Sequence, residues 1–346
     1  MTPANPARGG GAAGAEPLEA RIARVRTAWQ EAKILMAGVE LGLFDRLAAG
    51  PADTAALARD LGVTGRGIEI LADALTATGY LAKAGGRFAN TPDADRLLVR
   101  GRPGGVAHAL AHGNQVLGNW ARIEEVIRRG QVREERDKPL LADRTANRNF
   151  ILAMAELGRG RVGPVLDCLP LAAARRFVDL GGGPAHFTCE AARRFSGLEA
   201  VLVDLPLTVE VAREQIAAQG LSARVQTRVC DFYEAAELDL GGAADVVLIS
   251  QVLHAEGPDE NRALLRKLSP HVPPGGVVAV SENLVDESRT SPVAGAMFAV
   301  NRLAGTARGR TYTAAEISGW LDEAGFAPQP VIDAAERTAV ILGRRR

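Results

Sequence analysis

The sequence predicts an α/β chain of two domains, in which a helix-covered parallel sheet follows a smaller, mainly helical domain. Three observations carry this expectation. After Arg176, five short runs rich in Val, Leu and Ile (FVDL, AVLVDL, VQTRV, ADVVLIS and GVVAVSE) each lead into a helical stretch. Such alternation marks a parallel sheet buried on both faces. Before them, apolar residues recur at helical spacings of three to five, as in Leu18, Ile22, Val25, Trp29 and Ile34. The length, 346 residues, exceeds one average domain and suits two.

In chain order, residues 1–16 read as a disordered Gly/Ala/Pro tail without the apolar centre of a signal peptide. Residues 17–103 form the first domain. Its helical pattern runs from Pro17 to about Gly50, where Gly50-Pro51 stops it. Thr54 is the expected N-cap of a short helix closed by Gly62, and Thr64 begins a second helix that Gly79 ends. YLAKAGGRFAN then supplies two short strands around a Gly-Gly turn. Helix, helix and a two-stranded wing is the winged-helix arrangement. Linking helices are expected over 104–170, near 104–129 and 145–166. Residues 171–346 hold the sheet domain, which closes on an antiparallel hairpin from strands near 327–332 and 338–343.

Composition narrows the function. Hydrophobic residues make up 47% and charged residues 24%, with a formal net charge of zero. Nothing in that balance favours nucleic acid or an anionic membrane. No apolar run is long enough to span a bilayer. Cys168, Cys189 and Cys230 are too few and scattered for a disulfide framework or a closed metal site. The expectation is a soluble, cytoplasmic protein without a metal.

The first strand of the sheet domain runs through Asp179 and Leu180 into Gly181, Gly182 and Gly183, followed by Pro184, Ala185 and His186. Glycines let a backbone turn tightly and approach a ligand without a Cβ in the way. Pro184 suits the first position of the following helix, where a missing N–H costs nothing. A pyrophosphate-binding loop would carry a third glycine where His186 stands, so a smaller ligand fits better. Asp204 ends the second strand, with Leu205 beside it, and is placed to accept ribose hydroxyls. Asp231 and Phe232 follow the third strand, where they could bond an adenine amino group and cover its ring. The order of glycine loop, ribose acid and adenine acid points to an adenosyl ligand. Simpler readings stay open: Asp179 as a cap of the turn, Asp204 as a helix N-cap, Phe232 as core.

With VDLGGGPAHF, VLVDLP, VCDFY, DVVLISQVLHAEGPDEN and PPGGVVAVSE in place, the chain resembles an O-methyltransferase family. That family includes plant caffeate-type enzymes and bacterial polyketide and carotenoid enzymes. The likeness runs from about residue 18 to 343 and includes GVELGLFDRL, LARDLG and LADALTATGYL, which look like the family's dimerisation domain. It implies a Rossmann-like class I methyltransferase fold, S-adenosyl-L-methionine as cofactor, a small-molecule acceptor and a homodimer. By the same resemblance, Gly181–Gly183 pass the methionine part of the cofactor, Asp204 holds the ribose, Asp231 and Phe232 frame the adenine, and Ser250 lies close by. His254 falls at the position of the general base, and Glu282 at that of a glutamate flanking it. Methyl transfer is an in-line displacement that depends on alignment, and a hydroxyl acceptor must lose its proton. A histidine suits that step near neutral pH. Trp120, Phe150, Met154, Met297, Phe298 and Asn301 fall in regions that wall the family's acceptor pocket; at such spacing Met and Phe also serve as plain core.

Three departures stand out. Ala185 replaces a common glycine, Ala255-Glu256 replaces Asp-Trp after the base, and Gly309 stands where a second glutamate often precedes Arg-Thr. They leave room for N-, S- or C-methylation, or a non-methylating reaction, beside the expected transfer to an aromatic or polycyclic hydroxyl. A DNA-binding regulator would need a basic recognition helix, yet 64–79 offers Arg66 against Glu69 and Asp73. A nicotinamide dehydrogenase is disfavoured by His186.

Overall fold

The computed structural model describes residues 16–130, 143–335 and 337–346, so all but the last residue of the expected tail over 1–16 lies outside the described residues. The chain divides into two compact units between Val99 and Arg100.

In the first unit, α1 (Leu18–Glu40) is followed by α2 (Leu43–Ala48), β1 (Ala52–Asp53), α3 (Thr54–Leu61), α4 (Gly65–Ala77), β2 (Leu81–Ala84), β3 (Arg87–Asn90) and α5 (Pro92–Leu98). The winged-helix arrangement is present, with a third strand: the sheet order is β1-β3-β2, and Ala52 pairs with Phe88. The cap of α3 is Asp53 and not Thr54. Asp53 is extended and its carboxylate accepts from Ala56 N at 2.8 Å, which leaves Thr54 inside the first turn. Thr64 caps α4 as expected, accepting from Gly67 N. The short α5, absent from the sequence reading, starts on a Thr91 cap with Pro92 at its first position. Gly38, Phe44 and Leu75 meet so closely that a Cβ on Gly38 would stand 3.0 Å from the Phe44 ring. Leu18, Ile22, Val25 and Trp29, one stripe of α1, are each more than half exposed.

The second unit begins with α6 (Ala107–Trp120), α7 (Ile123–Arg129), α8 (Arg144–Gly158) and α9 (Val162–Asp167). The single helix expected near 104–129 is therefore two. It breaks after Gly118 and Asn119, both weak helix formers. The alternating part follows: β4 (Arg176–Leu180), α10 (His186–Arg194), β5 (Glu199–Asp204), α11 (Pro206–Ala218), β6 (Val225–Val229), β7 (Val246–Ser250), α12 (Pro258–Leu268), β8 (Val277–Glu282), α13 (Val293–Gly305) and α14 (Ala314–Glu323). It closes with β9 (Phe326–Pro328), β10 (Ile332–Ala335) and β11 (Thr338–Arg345). The expected two-strand closure thus has three strands, the run near 327–332 being split around residues 329–331. The sheet order is β10-β11-β8-β7-β4-β5-β6, with β9 on β11; β4 to β8 are parallel and β11 is antiparallel to β8. Successive residues feed opposite cores. Val178, Leu180, Val201 and Val203 enter one cluster, whereas Phe177, Ala200 and Leu202 enter the other. Among the described residues no helix is long and apolar enough to cross a membrane.

Candidate active site

The site is built on the C-terminal ends of β4, β5, β7 and β8, where an open parallel sheet presents its loops to ligands. Gly181 and Gly183 both have positive φ (76° and 53°), so the turn after β4 demands glycine there. Gly182 is required for space: a Cβ on it would stand 2.8 Å from both Asp179 Oδ2 and Leu202 Cδ1. Ala185 is left-handed as well (φ 65°) and caps α10 from outside the helix. Pro184 consequently lies before the helix, not at its first position. Ala185 thus keeps the conformation that a glycine would supply, at the steric cost of a Cβ.

Asp179 is buried under this turn. Its Oδ2 accepts from Thr188 Oγ1 at 2.7 Å and its Oδ1 has no partner, while burial pushes its carboxyl up to about 7. Asp204, also buried, accepts from Gly183 N at 2.9 Å and from Leu205 N at 2.7 Å, and burial raises it to about 6. The helix cap is Leu205, so Asp204 is free of that role. Its carboxylate ties the glycine loop to the tip of β5. Phe232 is buried in the core, and its ring also lies against Gly181, where a Cβ would stand 3.5 Å from Cζ. Asp231 accepts from Tyr233 N and Glu234 N, so it orders the turn after β6. Ser250 Oγ, at the end of β7, is buried without a partner. Unsatisfied oxygens on Asp179 and Ser250, with a glycine turn between the strand tips, fit a polar ligand.

His254 and Glu282 meet. His254 Nδ1 lies 2.8 Å from Glu282 Oε2, and both side chains are buried. Two features outside the sequence reading hold the histidine. Gln251 takes a left-handed conformation (φ 58°) just past β7, pinned by Gln251 N and Nε2 donating to Ser281 O and by Asn283 Nδ2 donating to its Oε1. Strain of this kind persists only where surroundings over-determine it. Asn261, fully buried on α12, donates from Nδ2 to Leu253 O at 2.9 Å and accepts from Tyr233 OH at 2.8 Å. Its place in the PDEN run was a signal, but its partners lie far apart in the chain. Tyr312 OH bonds to Glu256 O from the other side.

Gly309 explains one departure. A Cβ there would stand 2.4 Å from His254 O and 2.8 Å from Ala255 O, so the loop before Arg310-Thr311 packs backbone to backbone against the histidine turn. A glutamate has no room at that position.

The residues expected at the acceptor pocket fall on α6, α8 and α13. Phe298 meets His254 nearly edge-on, ring centroids 4.9 Å apart at 80°. Trp120 Nε1 donates to Asn301 Oδ1 at 3.1 Å, joining α6 to α13. Phe150 stacks edge-on with His112 of α6 at 5.3 Å. Met154 is half-buried one turn along α8 from Phe150, whereas Met297 is 51% exposed.

Comparison with known proteins agrees with this layout. Residues 139–327 match the O-methyltransferase domain and residues 29–100 the O-methyltransferase dimerisation domain. The chain is 34% identical to 3-hydroxy-5-methyl-1-naphthoate 3-O-methyltransferase of Streptomyces sahachiroi, over 84% of each chain. It is 29% identical to the tetracenomycin polyketide synthesis 8-O-methyl transferase TcmO of Streptomyces glaucescens, over 94% of this chain and 96% of that one. Human N-acetylserotonin methyltransferase in complex with SAM has the same fold, with a TM-score of 0.81 at 23% identity, covering 96% of this chain and 99% of that one. The chain belongs to the O-methyltransferase family, enzymes that take their methyl group from S-adenosylmethionine, and it carries that family's dimerisation domain.

Proposed function

We propose that the chain methylates a hydroxyl of an aromatic or polycyclic small molecule, with His254 as general base oriented by Glu282. The observation that carries this reading is the buried 2.8 Å contact between His254 Nδ1 and Glu282 Oε2 at the tips of two adjacent strands. With Nδ1 donating to the carboxylate, Nε2 is left as the acceptor for a phenolic proton. Phe298 against the imidazole supplies an apolar wall that suits a flat aromatic ring. The hydroxynaphthoate named for one relative and the polyketide O-methylation named for the other support the same class.

When bound, S-adenosylmethionine supplies an electrophilic methyl group on a sulfonium. Asp204 would hold its ribose, Phe232 and Asp231 its adenine, and Gly181–Gly183 its methionine portion, with Asp179 and Ser250 lining the same cleft. The protein's own task is then to fix the acceptor oxygen, exclude water and receive one proton.

The Asp204 assignment has a pH signature. Burial holds this carboxyl at about 6, so it takes up its proton well above the ordinary aspartate range. As pH falls through about 6, the charged acceptor is lost and affinity for S-adenosylhomocysteine weakens, approaching tenfold per pH unit. Calorimetry between pH 7.5 and 5 should show this in wild type and a weaker, shallower profile in Asp204→Asn, where Asp179, held at about 7, still titrates. A flat wild-type profile removes Asp204 from the ribose site.

We also propose a homodimer in which a second copy covers the exposed stripe of α1. Ile22→Asp combined with Trp29→Asp should shift the mass measured by light scattering from dimer to monomer. An unchanged dimer places the interface elsewhere.

A further inference from the structure

Arg302 sits on α13 one turn beyond Phe298, and its guanidinium lies over the Phe298 ring, 4.8 Å from the centroid. His254 contacts the same ring at 4.9 Å. The guanidinium and the imidazole therefore pack on the same aromatic ring. Arg302 Nε is buried, and no hydrogen-bond acceptor reaches it among the described residues. The contrast with the surface is sharp: Arg144, Arg148 and Arg308 each have a carboxylate partner in Glu210, Glu214 and Glu260. Arg302 has the field of Glu282 but no ion pair with it: His254 engages Glu282 Oε2, and Glu282 Oε1 is itself buried without a partner. His112, the other titratable group whose interaction with Arg302 is resolved, is pushed down by burial and then by Arg302 itself, so it supplies no anion.

Nε loses hydration without gaining a hydrogen-bond acceptor, and the Phe298 ring face offsets only part of the charge, which is costly unless an anion arrives with the ligand. The planar guanidinium fork matches a carboxylate bidentately. One negative charge balances one cation, whereas a dianionic phosphoryl group would also face the carboxylate of Glu282.

We propose that Arg302 recognises a carboxylate on the acceptor, so that the chain's substrates are hydroxylated aromatic acids bound with the carboxylate at Arg302 and the hydroxyl at His254. This specificity assignment rests on the hydroxyl-methylation reading above. It adds a charge requirement which that reading lacks.

The test uses the full chain with 3-hydroxy-1-naphthoic acid and its uncharged carboxamide. Binding of each is measured by calorimetry on protein saturated with S-adenosylhomocysteine, and turnover with S-adenosylmethionine. Wild type should prefer the acid by about a hundredfold in kcat/KM, chiefly through KM. The acid-to-carboxamide ratio should fall to near unity in Arg302→Met and recover in part in Arg302→Lys. S-adenosylhomocysteine affinity is the folding control for both variants. Equal handling of acid and amide by wild type overturns the assignment, as does failure of the acid to bind. An equal loss on both compounds in Arg302→Met also overturns it, because Arg302 would then merely balance Glu282. Arg302-dependent binding of the acid without methylation leaves the carboxylate site standing and sinks the hydroxyl reading. Methylation of both compounds alike does the reverse.

Discussion

Turnover should fall by roughly 10²–10⁴-fold when His254 is replaced by alanine or glutamine, while affinity for S-adenosylhomocysteine should stay within a few-fold. The imidazole sits on a short 3₁₀ turn after β7, outside the glycine cradle, and its Nδ1 is committed to Glu282 at 2.8 Å. On the proposed reading, removing the ring would abolish proton acceptance without touching Gly181–Gly183 or Asp204. Glutamine fills similar volume but cannot act as a base, so it should fail as fully as alanine. Single-turnover rates with the preferred acceptor, measured beside calorimetric cofactor affinity, separate the two effects. A glutamine variant with near-wild-type turnover would leave His254 as a structural residue.

The second large effect runs against intuition. Installing the glutamate that relatives often carry, Gly309→Glu, should cripple the enzyme. Any Cβ at 309 meets the His254 carbonyl at 2.4 Å and Thr306 Oγ1 at 2.5 Å, and backbone cannot step aside as a flexible side chain can. Overpacking of this kind costs about 1–3 kcal/mol, which amounts to several degrees of melting temperature. The turn carrying the base must move, and a displacement near 1 Å can cost on the order of 10² in rate. Gly309→Ala already carries the offending atom, so it should show most of the loss. Melting curves and kcat for both variants decide the matter. An alanine variant as stable and active as wild type would show that this contact relaxes freely.

Much of this was legible in the residues themselves. Four of the five parallel strands could be placed because Val-, Leu- and Ile-rich runs that are buried almost throughout adjoin helical stretches. β6 has one buried residue of five and no helix before β7, and chain order set which strand tip carries which acid. What escaped has identifiable causes. β1 is two residues long, too short for any pattern. Asp53 and Thr54 are both good caps, and only backbone geometry selects between them. Nothing in an alanine announces the left-handed turn of Ala185, and it displaced Pro184 from the helix. Gln251 and Asn261 act through partners such as Ser281, Asn283 and Leu253 that folding alone brings near. Helical spacing on α13 offers a period without saying which residues meet the imidazole. Phe298 does, while Met297 is half exposed.

The final hairpin has a consequence for how the enzyme matures. β11 is the last strand of the sheet in chain order, yet it lies beside β8, pairing Ala339 with Glu282. During synthesis, β8 therefore presents an open edge, and the carboxylate at its tip lacks one flank, until residues 338–345 have emerged. A nascent chain can assemble the glycine turn on β4 and β5 well before the His254–Glu282 contact is braced. Competence to bind should precede competence to react, and the newest stretch of polypeptide completes the oldest chemistry.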